Sequence, residues 1–197
     1  MTLQRSFCAG LVLCIGAGTA AAERNEGFYL EGQYAPRTSF DLGPRPPTVG
    51  TVTVHDDDTD SGFLISGGYG FNQYFSVGLG WTDLGSASRT LRDSATNTTT
   101  TFTASVDVIS AFGQGFLPIG DDFYLMGKLG YADGDIDARA SGATVVPFNA
   151  SSSDSGALFG VGAGYYFSDN FAVTGEWSRY NLADDIDYVG IGAKFSF

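Results

Sequence analysis

Eight stretches of this chain alternate large apolar side chains with glycine, serine, threonine or charged ones, and this two-residue period restricts the fold more than any other feature. Successive side chains of a strand point to opposite faces, so each stretch reads as a strand with one greasy face. Phe28, Leu30 and Tyr34 alternate with Tyr29, Glu31 and Gln33; Phe63, Ile65, Tyr69 and Phe71 share a face away from Ser66, Gly68 and Gly70. Phe75, Val77, Leu79 and Trp81 oppose Ser76, Gly78, Gly80 and Thr82. In the fourth stretch, about 104–116, Val106, Val108, Phe112 and Phe116 make the expected apolar face, with Ile109 out of step. The second half repeats the pattern at Phe123–Tyr131, Phe159–Phe167, Phe171–Trp177 and Val189–Phe197. Each stretch is roughly 8–12 residues, the length a tilted strand needs to cross a bilayer.

The connections set the topology. Short turns at 72–74, 118–122 and 168–170 alternate with longer polar segments at 36–61, 83–103 and 132–156 and a shorter one at 180–186. Strict alternation of short turns and long loops is the signature of a closed up-and-down barrel with both termini on one side of a membrane. One hairpin occurs twice. Gly68-Tyr69-Gly70-Phe71, three turn residues and Phe75-Ser76-Val77 return as Gly164-Tyr165-Tyr166-Phe167, three turn residues and Phe171-Ala172-Val173. Trp81 and Trp177 follow at the same spacing. Tyr69, Phe71, Phe75, Trp81, Tyr165, Phe167, Phe171 and Trp177 are thus candidates for aromatic girdles at the membrane interfaces.

A soluble barrel of the lipocalin type would turn its apolar face inward around a ligand. Here the other face carries Glu31, Gln33, Lys128, Glu176 and Lys194 among small residues, and such groups cannot face acyl chains. The apolar face therefore points to lipid. Glu31, Lys128, Glu176 and Lys194, with Arg179 near the outer end of the seventh strand, form a candidate charge network in the barrel interior. Buried charges must pair, and eight strands enclose little space beyond side chains, so a plug is favoured over a narrow ion pathway.

The first 22 residues have the order of a secretory signal peptide: Arg5, an apolar run from Phe7 to Gly18, and Ala20-Ala21-Ala22 before Glu23. The apolar run is too short for a spanning helix. Residues 23–197 then constitute one barrel domain. Cys8 and Cys14, the chain's two cysteines, both lie in the leader, so the mature part has neither disulfide nor thiolate chemistry. Ten Lys and Arg face 22 Asp and Glu, a net charge of −12 that loss of Arg5 takes to −13. That balance excludes nucleic acid as a partner.

The closing run Tyr188-Val189-Gly190-Ile191-Gly192-Ala193-Lys194-Phe195-Ser196-Phe197, the hairpin pattern and the leader together resemble the OmpA-like superfamily of small outer-membrane barrels, which includes opacity-type and OmpX-like surface proteins. The resemblance spans nearly the whole mature chain. It implies an all-β fold, a closed eight-stranded antiparallel up-and-down transmembrane β-barrel preceded by a cleaved signal peptide, in the bacterial outer membrane. It also implies that Phe195 and Phe197 form the signal read by the barrel-assembly machinery. With Phe197 as the closing residue of the barrel strand, the periplasmic peptidoglycan-binding domain of full OmpA proteins is not expected. Outer-membrane lipid and lipopolysaccharide are the expected surroundings, and the loops could meet a surface ligand.

Other constellations are weaker. His55-Asp56-Asp57-Asp58-Thr59-Asp60 is read as a solvated acidic loop, with divalent-cation binding as the less favoured reading. Asp133-Gly134-Asp135-Ile136-Asp137 starts like a calcium loop, but Ala138 and Thr144 replace the turn glycine and the bidentate glutamate. Pro44-Arg45-Pro46-Pro47 stiffens the first loop, and Thr- and Ser-rich runs at 96–103 and 151–155 read as exposed loops. A single His55 without a matched nucleophile gives no support for hydrolase chemistry, so neither an enzyme nor a cofactor is expected. The expected function is a structural, surface-exposed barrel with a plugged interior and loops suited to adhesion. The alternative is a narrow porin-like channel for ions or small solutes.

Overall fold

The computed structural model describes residues 24–40, 52–57, 59–142, 148–182 and 185–197. The leader and Pro44–Pro47 lie outside these residues. Nine strands follow in order: β1 (Gly27–Phe40), β2 (Val52–Asp57), β3 (Thr59–Asn72), β4 (Phe75–Asp93), β5 (Thr98–Ile119), β6 (Phe123–Gly142), β7 (Phe148–Tyr166), β8 (Phe171–Asn181) and β9 (Asp185–Ser196). All pairings are antiparallel. The sheet runs β2-β4-β3-β1-β9-β8-β7-β6-β5, and a β4–β5 pairing closes the ring. Both β2 and β3 pair with β4, at Val52↔Asp93 and Phe63↔Asp83, so β2 continues β3 outward and the barrel has eight staves. Ring closure leaves no open edge within the lipid, where an unpaired backbone group costs several kcal/mol.

Strand parity follows the sequence on most staves. Phe28, Leu30, Tyr34, Ile65, Leu79, Leu129 and Ile191 are exposed on the outer surface, while Tyr29, Glu31, Ser66, Lys128, Glu176 and Lys194 are buried in the lumen. β5 departs from this. Val106, Val108, Phe112 and Phe116 all face inward, and Ile109 and Leu117 face outward with Ala111, Gly113 and Gly115 between them. The sequence reading picked the bulkier face of β5 as the lipid face. The lumen needs that bulk, because Phe112 fills the space beside Gly78, where an added Cβ would meet its ring at 2.9 Å. Gly164 is required in the same way: an added Cβ would overlap the buried Tyr124 ring.

The predicted long loops are largely strand. β4 and β5 stay paired to Asp93↔Thr98, and β6 and β7 to Ala140↔Phe148, so 83–93, 98–103, 132–142 and 148–156 form a sheet that rises beyond the barrel. Threonine and serine runs read as loop by composition, yet Thr98–Thr103 pair with β4 and Ser151–Ser155 pair with β6 as regular strand. Bulges mark the outer rim, with register shifts between Ala35 and Thr38 in β1 and between Asp83 and Ser86 in β4. Pro36, which lacks an N–H, sits in the first, and Gly85 at φ 81° sits in the second. Thr38 ties them together, its hydroxyl lying 2.7 Å from the Leu84 carbonyl and 2.9 Å from the Asp60 carbonyl and sharing its one proton between them.

Candidate functional site

The lumen has three storeys. At the end that carries the short turns, Phe116, Tyr124, Met126, Tyr166 and Ala172 pack as an apolar cluster, with the Tyr124 ring 5.6 Å from Phe116 and 5.0 Å from Tyr166. The segment before β1 covers this floor. The Arg24 guanidinium donates to Asp122 at 2.8 Å, to Asp169 at 3.2 Å and to the Asp121 carbonyl, joining the β5–β6 and β7–β8 turns.

The middle storey is polar and paired. Lys128 Nζ lies 2.6 and 2.7 Å from the two carboxylate oxygens of Glu176. Ser178 also donates to Glu176. Gln33 Nε2 bridges Glu31 Oε1 at 2.9 Å and Glu176 Oε2 at 3.2 Å, and Thr174 donates to Glu31 at 2.8 Å. Lys194 donates to Asn25 Oδ1 at 2.8 Å and sits 4.5 Å from the ring centroids of both Tyr29 and Phe116. Lys128 is likewise 4.7 Å from the Phe112 ring. Lys128 and Glu176 form an ion pair inside the wall, while Glu31 and Lys194 are held by neutral hydrogen-bond partners. Gln33 Oε1 and the hydroxyls of Ser66 and Ser110 have no protein partner.

The upper storey is a hydrophobic core. Leu64, Leu84, Val106, Val108, Leu158, Tyr180, Ile186 and Tyr188 are packed together and all but fully buried. Thr82 and Tyr180 share a hydrogen bond of 3.1 Å at the boundary with the polar storey. At this height the outer face becomes acidic: Asp83, Asp107, Asp133, Asp135 and Asp137 are on the outside of β4, β5 and β6. Asp83, Asp107 and Asp135 are direct cross-strand neighbours. Partial burial, then repulsion from Asp83, Asp137 and Asp135, raises the Asp107 pKa above its ordinary value. Asp60 shows the opposite shift. Burial alone would raise it, but hydrogen bonds from the Ser61 N–H at 2.7 Å, the Ser86 N–H at 2.9 Å and the Ser86 hydroxyl at 3.0 Å lower its pKa.

Polar inside and apolar outside across one belt, then apolar inside and polar outside above it, is the inversion of a barrel that leaves a bilayer. Residues 7–197 match the model of the outer membrane protein beta-barrel domain. This chain belongs to that family. It is a protein of the bacterial outer membrane. The fold resembles Ail, the attachment invasion locus protein of Yersinia pestis, solved with the heparin analogue sucrose octasulfate (TM-score 0.52, 18% identity, 87% of this chain and 99% of that one). It also resembles the N-terminal barrel of Pseudomonas aeruginosa OprF (0.56, 14%, 87% and 98%) and P. aeruginosa OprG (0.51, 12%, 90% and 99%). A search of curated proteins finds no match.

Within this outer-membrane barrel, Glu31, Lys128, Glu176 and Lys194 meet in the lumen, but Arg179 does not join them. Arg179 shares the outward parity of Phe171, Val173 and Trp177 in β8. It lies where the outer face turns polar, so it pairs with its cross-strand partner Asp187 at 2.6 and 2.7 Å and leans over the Trp177 ring at 5.5 Å. The aromatics lie on the outer surface in two groups. Tyr69, Phe71 and Phe75 form a chain of rings 5.5–6.1 Å apart beside the first hairpin turn, extended by Phe28 at 5.1 Å. Tyr165, Phe167 and Phe171 repeat it at the third turn, and Trp81 and Trp177 stand at the opposite rim. Phe195 and Phe197 face outward with rings 5.1 Å apart, and the Phe197 N–H donates to the Phe28 carbonyl. Sequence reasoning missed the upper core; its signal was Leu64, Leu84, Val106 and Val108 at lumen parity beside outward aspartates.

Proposed function

We propose that this protein is a structural, surface-exposed outer-membrane barrel with a plugged interior, whose raised sheet contacts partners outside the cell. One observation carries the reading: the groups a channel would present to water are sealed, with Lys128 at 2% and Glu176 at 4% exposure beneath a packed apolar storey. A conducting lumen needs its charges hydrated, and here they are spent on one another. The acyl chains of the membrane contact the outward belt, lipopolysaccharide surrounds the acidic rim, and the Phe195–Phe197 pair serves as the assembly signal. In this reading the protein has no enzymatic role. Ail suggests attachment as the kind of task such a scaffold performs. The outer face of β4–β6 is acidic, so an anionic sugar sulfate is not its matching ligand. The test is conductance of the refolded protein in planar bilayers. A silent bilayer supports the plug; sustained unitary steps with ion selectivity would overturn it in favour of a narrow channel.

A further inference from the structure

Two outer faces of the barrel stand on opposite sides of the ring and differ in relief. The ring runs β1-β3-β4-β5-β6-β7-β8-β9 and closes on itself, so the β5–β6 pair lies four staves from the β9–β1 pair in either direction. On β5–β6 the lipid face is sunken. Gly115 and Gly127 are direct cross-strand partners, and a Cβ added at either would meet no atom within 4 Å. At Gly113, the next outward-facing position of β5, an added Cβ would rest in ordinary contact with the Phe75 ring at 3.5 Å. On β9–β1 the surface is raised instead: Ile191 is 62% exposed and its cross-strand partner Tyr34 52%. Both features sit at the level of the middle storey. Gly115 and Gly127 adjoin Gln114 and Lys128, while Tyr34 and Ile191 adjoin the Gln33↔Gly192 pair.

Charge divides the same way. Above the hollow, Asp133 points outward from β6, with Asp135 beyond it and Asp107 beside that one on β5. Above Ile191, Arg37 shares the outer face of its cross-strand partner Val189; it is exposed and has no partner among the described residues. Arg179, on the same side, is committed to Asp187. Acyl chains are as apolar as isoleucine, so in a bilayer the contacts that join surfaces are close packing and polar pairing, and small residues permit the close approach. A mobile acyl chain would lose conformational freedom to fill the hollow, whereas a side chain fixed on a strand has little to lose. A second copy supplies both the apolar knob and the unpartnered cation.

We infer that copies of this chain associate side by side in the plane of the outer membrane, Ile191 of one seated in the Gly113–Gly115–Gly127 hollow of the next and Arg37 set against Asp133. Knob and hollow lie on different faces, so the contact is heterologous, and their opposite placement extends it into rows rather than closing it as a dimer. This goes beyond the contact role proposed above and does not depend on the state of the lumen.

The test is cross-linking in phospholipid vesicles, using the full chain with Cys8→Ser and Cys14→Ser as a background without thiols. One preparation carries Gly113→Cys and the other Ile191→Cys, each first shown to be folded by its heat-modifiable migration on a gel. Mixed and mildly oxidised, the two should form a disulfide-linked pair, because seating the knob brings the thiols within bonding reach. Either preparation alone should stay unlinked. A mixture of Leu79→Cys and Val161→Cys, outward positions on other staves, gives the level of random collision. Adding Asp133→Arg to the Gly113→Cys copy should lower the linked yield roughly fivefold, and adding Arg37→Asp to the Ile191→Cys copy should restore it. A yield no higher than the collision level would show that lipid fills the hollow, and would overturn the proposal. So would Ile191→Cys copies linking among themselves as readily as in the mixture, or a yield indifferent to Asp133→Arg.

Discussion

The middle and upper storeys of the lumen are built on the same strands a few residues apart, yet they solve opposite problems. In the middle storey the wall faces lipid, so its inner positions can be polar: Lys128 pairs with Glu176 there, and Glu31 and Lys194 take neutral hydrogen-bond partners. In the upper storey the wall faces an aqueous and polysaccharide surface, so Asp83, Asp107 and Asp187 point out and Leu84, Val108 and Tyr188 point in. The difference teaches that one chain carries two folding logics. The membrane belt is held by ring closure and internal pairing, and the part above it by an ordinary hydrophobic core.

The comparison breaks first where a charge is left alone. Glu176→Ala should destabilise the barrel by about 3–5 kcal/mol, because Lys128 loses its carboxylate in a dry site. Replacing both partners, Lys128→Met with Glu176→Leu, should cost far less. Urea unfolding in lipid vesicles reads both, and equal losses would show that the pair is not acting as a unit. In the upper storey the loss is one of packing, so Leu84→Ala should cost about 2–5 kcal/mol by the same assay. A change below about 0.5 kcal/mol there would mean the storey is loosely packed.

The smallest effects lie on the rim and depend on pH. Asp107 titrates above its unfolded value, so its unfavourable contribution is absent in acid and appears as pH rises through the folded pKa. Asp107→Asn should therefore stabilise slightly at neutral pH, by less than about 1 kcal/mol at this partly exposed site, and not in acid. Asp60 titrates below its unfolded value, so its contribution is present above that value and lost as pH falls through the folded pKa. Asp60→Asn should accordingly weaken the fold at neutral pH and make little difference in strong acid. Unfolding midpoints across pH 2–7 for both variants check the opposite signs; parallel curves would contradict them.

The membrane belt was legible in the sequence because lipid imposes one rule on every stave. Outward Phe, Leu and Val and inward Gly, Ser and paired charge gave the strands, the turns and the middle storey. β5 escaped because Ala111, Gly113 and Gly115 are tolerated against lipid while Phe112 and Phe116 fill the lumen, so side-chain size misreports which face is outside. The raised sheet escaped because serine and threonine pairing across strands looks, one strand at a time, like a polar loop. Arg179 escaped because strand parity alone does not say where along β8 the lipid ends; Asp187, its partner on β9, carries that information.

The most direct test is to open each storey separately and record current. Planar-bilayer conductance should stay negligible for the Lys128→Met, Glu176→Leu variant, because the upper core still seals the lumen. It should appear when Leu84, Val108 and Tyr188 of the upper core and Phe116, Tyr124 and Tyr166 of the floor are all reduced to alanine with the middle storey charged and intact. If the middle-storey variant conducts and this apolar variant does not, the seal lies in the charge network and the account fails.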